Sequence, residues 1–89
     1  MRAIVTVVGN DRVGIIAEVS TLLAKQNVNI LDISQTVLAE FFTMVMLVDT
    51  SGFEGQFAEL ADTLDVRGRE IGMSIRIQRE DIFEAMHRI

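Results

Sequence analysis

The stretch VVGNDRVGIIAEV, residues 7–19, decides how the chain folds. Upstream, residues 2–8 read RAIVTVV, a β-branched and nearly continuous apolar run expected of a central strand with both faces covered or nearly so. Downstream, Ile15, Ile16, Val19, Leu22 and Leu23 recur at helical spacing, with Glu18 and Lys25 on the opposite side. Between them, strand passes to helix through Gly9, Asn10, Asp11 and Gly14. The helix is expected to end near Gln26, with Asn27 as a left-handed cap.

From Asn29 the period drops to two. Leu31, Ile33, Gln35 and Val37 are expected on one side of a strand, and Asp32, Ser34 and Thr36 on the other. A tight turn at Ala39-Glu40 leads into FFTMVMLVD, a third strand paired with the second as an antiparallel hairpin. After Ser51-Gly52, the residues Phe53, Phe57, Leu60, Ala61, Leu64, Gly68 and Ile71 form one helical face, on which Gly68 permits close packing. Met73, Ile75 and Ile77 then alternate with Ser74, Arg76 and Gln78 in a fourth strand. The order β-α-β-β-α-β predicts an α+β, ferredoxin-like domain: a four-stranded antiparallel sheet with two helices on one face. Residues 1–79 form this domain, and residues 80–89 a short C-terminal helix with Ile82, Phe83, Met86 and Ile89 on one side. A helix of that length is marginal in water, so it must dock, and it is expected to form part of a dimer interface with a second copy, its own domain being the alternative. Strands one and three are apolar at both parities, so the helix-free face is expected to carry Val and Met, which marks an interaction surface.

Composition narrows the function. The chain has 89 residues, 49% hydrophobic and 24% charged, enough for one core and no second domain. A formal charge of −5 argues against affinity drawn from phosphates, and the stretch typical of RNA-recognition domains is missing. Arg67, Arg69, Arg76 and Arg79 read as a solvated face rather than a basic stripe. There is no cysteine, no apolar run near the roughly 20 residues needed to span a bilayer, and no leader-like start, so a cytoplasmic location without membrane association is expected.

Enzymatic chemistry finds few residues to use. Gly9 and Gly14 have the spacing of a phosphate-binding loop, but Ile15 and Ile16 stand where its Lys and Ser/Thr belong. The single histidine, His87, has no partner for metal binding and reads as a surface residue, and no nucleophile–base pair can be assembled around the serines. No catalysis, cofactor or metal is expected. A helix start, by contrast, presents unpaired N–H groups and partial positive charge to a small carboxylate. Gly14 lets the backbone approach closely, Asp11 can cap the helix or meet an ammonium group, and Asn29 offers both a donor and an acceptor. Such a set suits an α-amino acid. The plainer reading gives Asp11, Gly14 and Asn29 only capping, packing and turn roles.

The sequence DRVGI, followed by NVNI, resembles the ACT domain, a small ferredoxin-like module that binds amino acids in metabolic regulators; the resemblance covers residues 1–79. It implies a ligand site between two domains, lined here by Asp11, Gly14 and Ile15 in the loop and by Asn29 on the second strand; the site expected adds Asn10 at the helix start, with Asn29 facing the loop residues across the interface. Asn27 replaces the usual glycine before V-N-I, and Gly9 stands where some ligand-binding members carry a polar residue or His. The chain is similar to free-standing bacterial and archaeal members with a V-V-G-x-D start and an I-F-x-A-M end, and to the repressor accessory protein of the glycine cleavage system. The expectation is a homodimer, or a larger assembly, that senses a small amino acid and signals to a partner enzyme or regulator. The alternative is a constitutive dimerisation module with no small ligand.

Overall fold

Each change of hydrophobic period marks an element boundary. The computed structural model describes residues 1–87 and orders them as β1 (Arg2–Asn10), α1 (Ile15–Lys25), β2 (Asn29–Leu38), β3 (Phe41–Asp49), α2 (Phe57–Glu70), β4 (Met73–Arg79) and α3 (Glu80–His87). The side chain of His87 and residue Ile89, both given places by the sequence, lie outside what is described. The four strands form one antiparallel sheet in the order β2-β3-β1-β4, the ferredoxin-like arrangement expected.

Ala3, Val5 and Val7 of β1, Met44 and Met46 of β3, and Ile75 of β4 are buried under α1 and α2, which contribute Val19, Leu23, Leu60 and Leu64. The methionines of β3 therefore serve the core and not the helix-free face. That face carries Ile4 and Val8 of β1 with Val45 and Leu47 of β3, because each pairs across the register with a residue of the same parity. Gly68 allows α2 to settle on β4: a Cβ there would lie 2.8 Å from Ile75 Cγ1. Phe53, expected on the α2 face, precedes the helix, since Gly55 takes φ 142° and α2 starts after Gln56, whose N–H donates to Glu59 Oε1 at 3.4 Å.

Two chain reversals follow local chemistry. At the end of α1, Asn27 adopts φ 57°, and the N–H groups of Asn27 and Val28 donate to the carbonyls of Ala24 and Leu23, both at 3.0 Å. This paired closure, with Val28 and Leu23 buried together, satisfies two carbonyls that the helix end leaves free. In β2 a bulge falls between Ile30 and Asp32. It throws Leu31 out of register, so Ile33, Gln35 and Val37 share their side of the sheet with Ile30 and not with Leu31, as the simple alternation had it.

The helix-free face is half covered. α3 turns back directly from β4, Glu80 pairs with Arg2 at 2.5 Å, and the Gln78 amide reaches Met86 Sδ at 3.5 Å. Arg2 and Gln78 both project on the side away from α1 and α2, so α3 docks over β1 and β4 of its own chain. Ile82 and Met86 stay substantially exposed. Among the described residues no helix is long and apolar enough to cross a membrane.

Candidate functional site

The turn between β1 and α1 is set by its backbone. Asn10 is the last residue of β1, in register with Phe41, so it ends the strand instead of entering the turn. The Asp11 N–H donates to the Glu40 carbonyl at 2.7 Å, which fastens the turn to the β2–β3 hairpin. Gly14 takes φ 89° and ψ 0° and is the residue from which α1 starts. A Cβ on Gly14 would meet nothing within 4 Å, so this glycine supplies a left-handed conformation, not close packing against a neighbour.

The expected Asp11 cap is not formed. The cap position belongs to Gly14, which has no side chain to donate or accept, and Asp11 lies three residues upstream of it. Among the described residues no side chain caps the start of α1, and its first backbone bond runs from the Glu18 N–H to the Gly14 carbonyl at 2.9 Å. The partial positive charge of the helix start is therefore open to an anion.

A notch of about 240 Å³ opens at this helix start, lined by Asp11, Arg12, Gly14, Ile15, Ile16 and Ala17, with Gln35 and Val37 of β2 and Phe42 of β3. Three of the five expected residues, Asp11, Gly14 and Ile15, meet there. Asn10 stops at the strand end. Asn29 is remote: it is level with Asp49 and Arg2, whereas Asn10 is level with Phe41 and Leu38. Eight residues of strand separate these levels, about 26 Å at ~3.3 Å per residue.

Two polar side chains of the notch were not singled out from the sequence. Gln35 had a signal, as the one polar residue between Ile33 and Val37 on an otherwise apolar parity. Arg12 had none, because its partners are distant or on the next helix. Its Nη2 donates to Glu18 Oε2 at 2.5 Å and to the Ile71 carbonyl at 3.0 Å. The hydrogen bond from Arg12, reinforced by its charge and opposed by partial desolvation, holds the Glu18 carboxyl below its ordinary value of 4.5.

The notch faces an unusual edge. Every residue of β2 except Ile30 is exposed, and Ile33, Val37 (51% exposed) and Ile16 form an apolar margin continued by Val13, 99% exposed at the tip of the turn. On the other side of α1 a larger groove of about 530 Å³ separates α1 from α2, lined by Glu18, Leu22, Lys25, Arg67 and Ile71 among others. The arginines form no basic stripe: Arg67, Arg69 and Arg79 pair with Glu70, Asp65 and Asp81, while Arg76 lies on β4. Among the described residues no group of acidic or histidine side chains is placed to hold a metal ion.

A four-stranded antiparallel sheet in the order β2-β3-β1-β4, with a glycine-started helix after its first strand, places the chain among the small ferredoxin-like α+β domains. The ACT domain profile matches residues 2–78, and the chain belongs to the ACT domain family. It is 52% identical to a UPF0237 protein of Clostridium acetobutylicum over the full length of both chains. An ACT domain protein from Streptococcus pneumoniae superposes with a TM-score of 0.83 at 46% identity, covering 98% of each chain. A putative glycine cleavage system transcriptional repressor follows at 26% identity and a TM-score of 0.68, covering 86% of this chain and 44% of that one.

Proposed function

We propose that this protein is a homodimeric regulator that binds a small amino acid at the seam between two copies and passes the state of that site to a partner protein. The observation that carries the reading is the separation of Asn29 from the notch within one chain. β2 is an exposed edge strand without lysine or proline; beyond its bulge at Ile30/Asp32, residues 33–38 carry no charge, and an unpaired edge of that kind is a template for a second strand. When two β2 edges pair antiparallel about a two-fold axis, the start of each strand lies beside the end of the other, and each Asn29 approaches the partner's notch. The same pairing covers Ile33, Val37, Ile16 and Val13. In the assembled site the open N–H groups of α1 take the carboxylate, Asp11 meets the ammonium group, and Val37 and Phe42 bound the side chain. The role is binding, not catalysis.

The test is thermal unfolding of the purified protein against the twenty amino acids at millimolar concentration, with light scattering for mass. A dimer whose melting temperature rises with one or a few related amino acids, and does so no longer in Gly14→Trp, supports the sensor, because a ligand that binds only the assembled site stabilises it by mass action. A dimer indifferent to all twenty supports a constitutive dimerisation module, a reading favoured by the apolar margin of β2.

A further inference from the structure

Arg12 stands on the wall between two cavities. Its side chain lines the notch, yet its guanidinium is turned across the start of α1 to Glu18 and to the Ile71 carbonyl at the end of α2. Glu18 and Ile71 both line the groove between α1 and α2. One side chain thus ties the turn that shapes the notch to the mouth of the groove.

We infer that Arg12 is an exchangeable arm: it leaves Glu18 for the carboxylate of the amino acid in the notch, and in doing so releases the Ile71 carbonyl and loosens the groove between the helices. The inference rests on the amino-acid reading given above and adds the group that recognises the carboxylate and the route by which occupancy reaches another surface.

Four features support the exchange. The Arg12 and Glu18 side chains are 38% and 45% exposed, and an ion pair so open to water is easily broken. Glu18 returns to solvent when released, so no buried charge is stranded. A guanidinium presents a planar fork of donors that fits a carboxylate at two points, which the single Nη2 contact to Glu18 does not use. Finally, α1 starts without a side-chain cap, so an arriving carboxylate has the helix N–H groups on one side and Arg12 on the other. The groove that Arg12 guards, with Leu22 and Ile71 in its lining and Lys25 and Arg67 among its charges, is then the surface whose shape reports the ligand.

The test compares Glu18→Gln, Arg12→Gln, Arg12→Lys and the double variant Arg12→Gln with Glu18→Gln, each titrated calorimetrically with the twenty amino acids and with the primary carboxamide of any that bind. Expected results are affinity about threefold or more higher in Glu18→Gln, about tenfold lower in Arg12→Gln, and intermediate in Arg12→Lys, with carboxamides not bound. The gain from Glu18→Gln must vanish when Arg12 is already Gln, since a lost competitor matters only if there is an arm to compete for. A gain that persists in the double variant, or single variants that shift affinity in the same direction, overturns the exchange. If Gly14→Trp abolishes binding while the Arg12 and Glu18 variants bind like wild type, the amino-acid site stands and Arg12 is only a surface tie. If neither wild type nor Glu18→Gln binds any of the twenty, the site and the exchange fall together.

Discussion

Asp11 and Asn29 lie at opposite ends of the sheet: Asn10, which Asp11 follows, is about 26 Å along the strands from the level of Asn29 at ~3.3 Å per residue, although β1 and β2 run in the same direction and are separated only by β3. A site that uses both must draw them from two chains.

That arrangement is open to complementation. Gly14→Trp damages the notch and keeps Asn29; Asn29→Ala does the reverse. Neither variant alone should bind. Unfolded together in equal amounts and refolded, they should recover about a quarter of the wild-type sites, because half the dimers are mixed and each mixed dimer has one intact site. Calorimetric stoichiometry reads this directly. No recovery from two well-folded variants excludes a site shared between chains.

The exposed edge gives a second prediction. Ile33 and Val37 are solvent-exposed in the single chain, so Ile33→Lys with Val37→Lys should leave the melting curve of the monomer cooperative. Like charges brought face to face across a two-fold axis oppose association, and lysines are a common protection of sheet edges. Light scattering should give the mass of one chain for the double variant and of two for wild type, and the variant should lose its response to amino acids. A dimer that survives both lysines places the interface elsewhere.

The parts of the fold that were legible are those fixed by local chemistry. The helical spacing of Ile15, Val19 and Leu23, the left-handed Asn27, and the small residue at Gly68 each read correctly, because a neighbour within a few positions or an obvious steric need determined them. Leu31 misled because a bulge is a property of the β2–β3 pair, and alternation in one strand cannot register it. Met44 and Met46 were assigned a face by the parity of an apolar run in which both parities look alike; only pairing with Val7 and Val5 resolves it. The site was legible as a turn and not as a cavity. Gly14 announces itself, but Arg12, Gln35 and Phe42 come together only when the sheet brings separate segments side by side.

Gly68 supplies a test of packing independent of ligand. A Cβ there falls 2.8 Å from Ile75 Cγ1 and 3.1 Å from its Cβ, both near the rigid base of that side chain. Gly68→Val should therefore destabilise by about 1–3 kcal/mol through overpacking, despite the better helix propensity of valine. The expected fall in melting temperature is roughly 4–8 °C per kcal/mol for a domain of this size. Shortening the opposing side chain with Ile75→Ala should recover part of the loss in the double variant, measured as a non-additive cycle. Strict additivity would mean that the two positions do not press on each other.

Acid stability should depend on Asp49, which stands beside Asn29 at the far end of the sheet. The Ser51 hydroxyl, at 2.6 Å, and the Ser51 N–H, at 2.9 Å, both donate to Asp49 Oδ1, and the ammonium group of Met1 lies 3.4 Å away. The hydroxyl first and the N–H second hold this carboxyl below its ordinary value of 3.8, with a smaller contribution from the Met1 ammonium. A carboxyl depressed in the folded state binds its proton more readily once unfolded, so it adds stability above the ordinary value that disappears as pH falls through the folded value. Ser51→Ala removes the strongest of the three contacts and should move the acid-unfolding midpoint to higher pH, while melting temperatures between pH 6 and 8 change little in their pH dependence because Asp49 is ionised in both states there. Circular dichroism across an acid series decides the matter: an unchanged acid midpoint would show that the Ser51 hydroxyl does not help to hold the Asp49 carboxyl down.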